Sequence, residues 1–460
     1  MTIDSGRISP HVAKLVVDPT LPVALVGVLA AVGITLVNVD FAAVLPFALV
    51  FLATACLTWK RLSPVALSPA IYFAGYLGLV AVLGVLLTNS LVGAGGTGGV
   101  DVALDVRVAA QTANAMLSAA SITLVAAAIA RGRPRGVSLS TVFDLGEISR
   151  YAGWFLFFGT IELVSLVYIL GYDELLERTS RLVGRGSSVE AVVQMAAIAA
   201  VVVVGIAFFA RRGVLRVYAF VLLAGFVGYF VSMGTRRLAL VPVLILLAYA
   251  ISNRGKVPVL ALLFTAATAL ITLALPLYFR GQVTHGLIPY IASLSSFTLS
   301  PEVVATSFNN FLAGFKISAM TGFQQSPIPP EILWISITPI GGETAGWYEV
   351  SQSLRLNRFT PYSAIGELIN YGAGTFVLMI SVIGLALGLI QRTNDQLLSD
   401  PLGRFVAIIS LGLIFIFVIQ SAQYNLRSDL RYLYLALGAQ LIGMLIFRTR
   451  DSLARRRAGR

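Results

Sequence analysis

The apolar residues of this chain form blocks of roughly 15–25 residues, the length that an α-helix needs to cross the hydrocarbon core of a bilayer. Short polar segments separate the blocks, and the alternating pattern of outer-membrane barrel strands does not occur in them. A soluble domain carries about 25% charged residues, whereas 57% of the residues here are hydrophobic and 12% are charged. These features exclude a soluble enzyme and predict an all-α, polytopic membrane protein.

We predict about twelve transmembrane helices and one long loop on the outer side. A cytoplasmic leader occupies residues 1–20, nine helices lie within 21–279, an external loop spans 280–364, three helices lie within 365–447, and a basic cytoplasmic tail covers 448–460. The predicted spans are residues 21–39, 41–59, 70–88, 108–130, 151–171, 189–210, 217–233, 238–251, 257–279, 372–390, 405–420 and 432–447.

The basic residues predict the orientation, because short cytoplasmic loops of membrane proteins are enriched in arginine and lysine. With the N-terminus in the cytoplasm, most of the 33 basic residues fall inside, including the clusters at 131–135 and 455–457. Both termini are then cytoplasmic, and we expect a bacterial plasma-membrane location with the functional face outside. The net charge of +12 fits cytoplasmic loops and membrane lipid headgroups, so we expect no nucleic-acid partner.

The external loop carries apolar residues at helical spacing, among them Leu287, Ile291 and Leu294, and later Phe311 and Phe315. Such stripes predict amphipathic helices that lie on the outer membrane surface or cap the bundle. A loop of this length is usually functional or disordered, and the stripes favour a function.

Two short outer hairpins contain arginines where the orientation rule predicts few. Arg236 and Arg237 lie between the seventh and eighth spans, and Arg427 and Arg431 lie between the eleventh and twelfth. The apolar runs beside both hairpins are short, which would place the arginines in a hydrated cavity below the surface, and arginine in such a position is typical of a functional site. Guanidinium groups match phosphate oxygens, so the pattern predicts a pyrophosphate site. The alternative is that the arginines reach lipid headgroups or pair with Asp429.

Two residues are candidates for a general base. Ser363 is placed to cap a helix that would hold Glu367 in its first turn and facing the cavity, where a carboxylate accepts a proton or stabilises the helix dipole. His285, in the external loop, is the second candidate. No cluster of histidine, cysteine and carboxylate has the spacing of metal ligands, so we expect neither a metal nor another cofactor.

Three segments resemble bacterial O-antigen polymerases (Wzy-type). The stretch 233–244, with its paired arginines opening an apolar helix, resembles the arginine-led helix of that family, and so do 361–374, which follows a long external loop, and the late 427–431. The resemblance covers residues 210–445 and implies a fold like that of C-type glycosyltransferases. It matches Arg236 or Arg237 to the arginine at the helix start, Arg280 to the loop-entry arginine, and Glu367 to the glutamate of the Gly-Glu pair. We add Arg358 of the loop as a further pyrophosphate ligand.

The resemblance implies a metal-independent transfer of a growing glycan from a polyprenyl pyrophosphate to a new lipid-linked repeat unit. The donor, the acceptor, membrane lipid and a regulator of chain length are the implied partners. Fixed guanidinium groups would stabilise the charge that develops on the leaving pyrophosphate. The alternatives are an enzyme like O-antigen ligase, a transporter or flippase of the lipid-linked glycan, and a C-type mannosyltransferase that uses Asp40 as its acid.

Overall fold

The computed structural model describes residues 44–62, 68–87, 103–132, 151–180, 188–253, 256–280, 282–298, 300–340, 342, 344–357, 360–398 and 401–458. The predicted leader and the predicted first span at 21–39 lie outside the described residues, as does Asp40.

The described chain is almost entirely helical. The α-helices are α1 (Val44–Leu62), α2 (Pro69–Leu87), α3 (Val106–Arg131), α4 (Ala152–Leu170), α5 (Tyr172–Leu176), α6 (Ser188–Ala210), α7 (Val214–Met233), α8 (Leu240–Ser252), α9 (Val259–Arg280), α10 (Leu287–Leu294), α11 (Pro301–Ala319), α12 (Pro330–Ile337), α13 (Trp347–Val350), α14 (Ala364–Asn370), α15 (Ala373–Leu397), α16 (Pro401–Gln420) and α17 (Leu426–Ala458). A 3₁₀ turn at Arg236–Ala239 precedes α8, a π-helical turn at Met320–Gln324 follows α11, and β1 (Arg355–Asn357) pairs antiparallel with β2 (Thr360–Pro361).

Nine helices in the described part of the chain are long and apolar enough to cross a membrane. These are α1–α4, α7, α9 and α15–α17, while residues 196–210 of α6 and 237–252 around α8 form shorter apolar helices. The structure therefore confirms a helical, multi-pass membrane protein. The count of twelve spans stays a prediction.

Helix α3 is the centre of the larger core, and 89% of its 18-residue apolar segment is buried. Gly384 and Gly388 of α15, four residues apart, bring that helix close to α3; a Cβ atom added at Gly388 would lie 2.4 Å from the carbonyl oxygen of Ala127. Small residues at this spacing allow helices in membranes to approach closely. On the other side of the core, Phe73 of α2 stacks on Phe417 of α16 at 5.4 Å.

A second core joins α4, α6, α7 and the start of α8, with Phe226 and Phe230 among its buried residues. A smaller cluster connects the two cores, because Ile206 and Ala248 pack with Leu398 and Ile408. The helices therefore form a continuous bundle.

Helix ends that the sequence predicts to be cytoplasmic meet at one end of the bundle. There the buried Arg131 donates to Oδ2 of Asp395 from Nε at 3.0 Å and from Nη2 at 2.9 Å, and to the carbonyl of Arg61. Gln391 donates to the carbonyl of Leu62 at 3.0 Å. Three helices, α1, α3 and α15, are thus joined by polar contacts at this end.

The predicted external loop contains helices, and one of them enters the bundle. The C-terminal half of α11 is buried from Leu312 to Ala319. A Cβ atom added at Gly84 of α2 would lie within 2.3 Å of the Phe315 ring, so the glycine makes room for this aromatic side chain. Helix α11 therefore packs into the larger core rather than lying flat on a surface.

Candidate functional site

Helix α14 is fixed against the turn between α16 and α17. Ser363 caps its N-terminus by accepting a hydrogen bond from the Gly366 N–H at 2.8 Å, as the sequence predicts. The next free N–H groups, of Ala364 and Ile365, donate to the carbonyls of Tyr424 at 2.7 Å and Ser421 at 3.2 Å. Each orphan donor at the helix start has a partner, so the position of α14 is closely specified.

Glu367 lies one turn into α14 and is fully buried, at 0% exposure. Its Oε1 accepts a hydrogen bond from the backbone N–H of Leu426 at 3.3 Å, whereas its Oε2 has no hydrogen-bond partner among the described residues. Burial raises the pKa of Glu367 to about 8, and the Leu426 bond opposes the rise. A carboxyl group with a pKa in this range suits proton transfer near neutral pH.

A second carboxyl group, that of Asp429 in the first turn of α17, is buried close enough to Glu367 for the two charges to repel each other. Its Oδ1 also lacks a hydrogen-bond partner in the described structure. Neither carboxyl forms an ion pair with a described cation. We call Glu367 and Asp429 the acid pair.

Uncharged polar groups without a hydrogen-bond partner lie in the elements around the acid pair. The Thr321 hydroxyl of the π-helical turn is one of them, and the Tyr371 hydroxyl at the end of α14 and the Ser336 hydroxyl of α12 have no partner other than each other in the described structure. Burial and the negative charge of Glu367 raise the pKa of Tyr371. Buried polar atoms in native proteins are normally hydrogen-bonded, and π-helical turns are common at functional sites. The arrangement is that of a site rather than of an ordinary core.

Arg427 holds the C-terminal end of α12 over this region. Its Nη1 donates to the carbonyls of Ile335 and Thr338, and its Nη2 donates to that of Ile340. These acceptors belong to residues 330–340, which we call the strap. Arg427 is 2% exposed, and its guanidinium carbon lies 5.5 Å from the centre of the Trp347 ring. The carbonyls at a helix C-terminus have no partner within the helix and carry partial negative charge, which a buried cation satisfies.

Tyr434 also holds the strap, because its hydroxyl donates a hydrogen bond to the carbonyl of Ile337. Arg431, one turn after Arg427 as the spacing predicts, is exposed. The described contacts of Arg427 do not include Asp429, the pairing that the sequence leaves open.

The hairpin with Arg236 and Arg237 begins at Gly234, which ends α7 in the left-handed conformation at φ +56°. Thr235 is extended, as expected for a cap, but its side chain caps no N–H group, and a 3₁₀ turn comes before α8. Arg237 donates from Nη1 to Oε1 of Gln194 on α6 at 2.9 Å. The side chain of Arg236 lies outside the described part.

His285 is buried beside the same hairpin. Its backbone forms a two-way bridge with Arg178, at 2.8 Å in each direction, and its Nδ1 lies 2.7 Å from the Tyr290 hydroxyl. Tyr290 also packs against Gly234, where an added Cβ atom would lie 3.3 Å from its ring. The buried Arg178 donates to the carbonyl of Ser232 at 2.7 Å and so connects the loop to the end of α7.

The structure therefore groups the predicted residues in two places. Glu367, Arg427 and Arg431 belong to the α14–α17 junction, and Arg237 and His285 belong to the α7 hairpin. The side chain of Arg280 is not among those described, and Arg358 falls outside the described residues. Within the described ranges, no group of histidine, cysteine and carboxylate side chains has the arrangement of a metal site.

The sequence predicts Asp429 only as a possible partner for the arginines, and it predicts no role for Arg178 or Tyr371. An acid in the first turn of an apolar helix is a signal for Asp429, since such a residue in a membrane segment is typical of function. Arg178 has no comparable signal, because its acceptors are backbone carbonyls.

Comparisons of the chain with family models, with curated proteins and with solved structures found no match.

Proposed function

We propose that this protein polymerises polyprenyl-pyrophosphate-linked oligosaccharide repeat units for a cell-surface polysaccharide. The sequence resemblance provides the reaction class. The observation that supports it best is Glu367: a fully buried carboxyl group with a pKa raised to about 8, held on a capped helix.

In the proposed reaction, an acceptor sugar hydroxyl attacks the anomeric carbon of the donor glycan. A new glycosidic bond forms, the bond between that carbon and the pyrophosphate oxygen breaks, and the pyrophosphate takes the electron pair. Glu367 takes the hydroxyl proton. A base is most effective when its pKa is near the working pH, which is the condition that burial creates for Glu367.

The α7 hairpin is the proposed pyrophosphate end of the donor site. Arg237 is half-buried and carries a fixed positive charge next to Leu238, which lines an apolar cleft of about 370 Å³. The cleft runs along the 3₁₀ turn and α8, from Leu238 to Tyr249, roughly 17 Å at the rise of an α-helix. Two of its threonines use their hydroxyls within α9, where Thr268 donates to the carbonyl of Phe264 and Thr272 to that of Thr268, each at 2.8 Å, so the walls present mainly carbon. Such a cleft suits the isoprenoid chain of the donor.

Arg427 takes a positioning role in the closed arrangement, since three backbone carbonyls occupy its guanidinium group. A direct contact between Arg427 and pyrophosphate requires the strap to move. His285 remains the second candidate base, and its hydrogen bond with Tyr290 orients the ring.

The experiment is reconstitution of the purified protein in vesicles with polyprenyl-pyrophosphate-linked repeat units. A polymerase produces a ladder of products that differ by one repeat. A ligase-like enzyme instead makes a single transfer, and only when a different acceptor is added. Absence of any transfer by a folded, membrane-inserted sample would contradict both.

A second candidate is a transporter or flippase of the lipid-linked glycan, and the acid pair is the observation that favours it. Buried carboxylic acids in membrane proteins commonly relay protons that drive transport. In the same vesicles, a proton-coupled transporter moves labelled lipid-linked glycan between leaflets in response to a pH gradient and forms no glycosidic bond.

A further inference from the structure

Among the residues that the structure describes, no cation forms an ion pair with the buried acid pair. Glu367 and Asp429 come from different helices, both are at most 2% exposed, and each keeps one oxygen without a hydrogen bond in the described structure. Burying one carboxylate away from water is costly, and burying two that repel each other is more so. The closed arrangement is therefore stable only when the pair retains a proton.

The strap lies against both helices that carry the acid pair. Through Arg427 and Tyr434 it is fastened to α17, the helix of Asp429. Its buried Ser336 meets Tyr371 at the end of α14, the helix of Glu367. Leu333 and Ile337 pack against the larger core, whereas Trp334 is 70% exposed. The strap therefore contacts both helices on its inner side and is exposed on its outer side.

The strap is held to α17 by a small group of hydrogen bonds. The hydrogen bonds of Arg427 and Tyr434 end on backbone carbonyls, and water can replace them when the strap lifts. Segments held in this way open at a free-energy cost below that of global unfolding. Opening would admit water to the acid pair and remove the reason for it to hold a proton.

We propose that Glu367 and Asp429 form one proton-binding site that the strap closes, so that lifting the strap and releasing the proton are a single coupled step. The proton leaves a carboxyl oxygen for water, and no oxidation or bond rearrangement accompanies it. This inference deepens the proposed function, because it regulates when Glu367 is available as a base. It concerns only groups of this chain, however, and is tested without any glycan.

Several charged and titratable groups lie on the elements that pack around the acid pair. Burial, and in addition the negative charge of Glu367, raises the pKa of Tyr362 and of Tyr371. The charged and titratable neighbours on the packed elements are Arg427, Arg431 and Tyr434 of α17, Lys316 of α11 and the exposed Glu331 of the strap. None of these is among the influences on Glu367, which are its burial and the Leu426 bond.

The direction of the pH dependence follows from the difference between the pKa of Glu367 in the closed and in the open arrangement. The pKa of Glu367 is about 8 when the strap is closed and about 4.3 when water reaches the group. Closure is therefore strongest at low pH and weakens as the pH rises between these two values. For the release of one proton, the opening equilibrium constant rises by up to tenfold per pH unit over this interval and levels off above about pH 8.

The experiment measures access to the strap in the full-length protein in nanodiscs without substrate. Cys56 is the only cysteine of the chain, so Cys56→Ser provides a background for Ser336→Cys, a nearly isosteric probe on the buried side of the strap. Because the reactivity of a thiol itself depends on pH, the labelling rate is divided by that of Ser353→Cys, which is exposed in the same region.

We expect the ratio of labelling rates to rise by about 10²-fold or more between about pH 5 and about pH 8. In the Glu367→Gln background one buried carboxyl group, that of Asp429, remains, so the rise should be smaller than in the wild type. In the double background Glu367→Gln with Asp429→Asn, the ratio should change by less than about threefold, because no carboxyl group of the pair is left to release a proton. Asp429→Asn is a second background, used if Glu367→Gln does not insert into the membrane. It should also reduce the rise in the ratio, because it too removes one carboxyl group of the pair. A ratio independent of pH, or an equal rise in the Gln background, would overturn the inference. A polymerase that fails this test would still form product ladders, and a non-polymerase that passes it would not.

Discussion

The backbone N–H of Leu426 donates a hydrogen bond to Oε1 of Glu367 at 3.3 Å, so one carboxyl group both belongs to α14 and satisfies the first N–H of α17. The positive end of the α17 dipole thus lies against the proposed base. This contact favours the deprotonated form and opposes the stronger effect of burial, which favours the protonated form.

The first prediction concerns the pH profile of glycan polymerisation. Because burial raises the pKa of Glu367 to about 8, the deprotonated fraction and kcat/KM should increase with pH and reach a plateau above about 8. Glu367→Gln keeps an oxygen for the Leu426 N–H but removes the base, and should lower kcat by about 10²–10⁴-fold. Initial rates of ladder formation measure both effects. A full rate in the Gln variant would assign the proton transfer to another group, with His285 the first to test.

The second prediction concerns the strap. Lysine has one ammonium group and cannot span the carbonyls of Ile335, Thr338 and Ile340, so Arg427→Lys should loosen the segment. Loss of one hydrogen bond to a charged group corresponds to roughly tenfold faster amide exchange in residues 330–340. Hydrogen exchange with mass spectrometry measures it, and the exposed Arg431→Lys is the matched control. Equal protection of residues 330–340 from hydrogen exchange in both variants would show that Arg427 does not hold the strap in place.

Much of the helical architecture follows from local sequence. Each predicted interval in the described part, from 41–59 to 432–447, contains a helix, because a long apolar block satisfies its backbone groups in lipid only by forming one. The Ser363 cap was also predictable, since a serine three residues before an N–H of a new helix has the geometry to accept from it. The length of an apolar block and the position of a helix cap depend on residues that are close together in the chain, so both can be predicted from the sequence.

The partners of Arg427 could not be predicted in the same way. Its acceptors are backbone carbonyls about 90 residues earlier, and every residue has a carbonyl, so no side-chain pattern marks them. The meeting of Glu367 and Asp429 likewise depends on how α14 sits on the α16–α17 turn, through N–H groups of Ala364 and Ile365. Arginine spacing predicts a shared face of a helix but not what covers that face.

The third prediction separates phosphate recognition from general loss of charge. Arg237→Ala should reduce polymerisation by about tenfold to a thousandfold, because a fixed guanidinium at the leaving group stabilises the transition state. Arg237→Lys should recover little of it. Arg216→Ala is the control, since Arg216 lies at the other end of α7 over the Phe208 ring at 4.8 Å. The measurement is initial rate at equal amounts of inserted protein, and an equal loss in both alanine variants would argue against a specific phosphate contact.

The fourth prediction tests the apolar cleft. Thr265 of α9 lines the cleft, so Thr265→Trp should fill part of its volume of about 370 Å³ and raise the KM for a long-chain polyprenyl donor. A donor with a much shorter chain should be affected less, because it occupies less of the cleft. Ala267→Trp, on the exposed side of the same helix, is the control. If both variants change the KM equally for both donors, the isoprenoid chain binds elsewhere.

The last prediction concerns stability at the opposite end of the bundle, where Arg131 and Asp395 form a buried ion pair. Arg131→Met leaves the Asp395 carboxylate buried without its cation, and should destabilise the protein by about 3–5 kcal/mol. The double variant Arg131→Met with Asp395→Leu removes both charges together, and should recover much of that loss because an apolar pair has no desolvation penalty. Thermal unfolding in detergent, compared across the wild type, both single variants and the double variant, gives the coupling between the two residues. Additive losses in the double variant would mean that each side chain is stabilised by its other contacts, such as the bond from Arg131 to the Arg61 carbonyl, rather than by the ion pair.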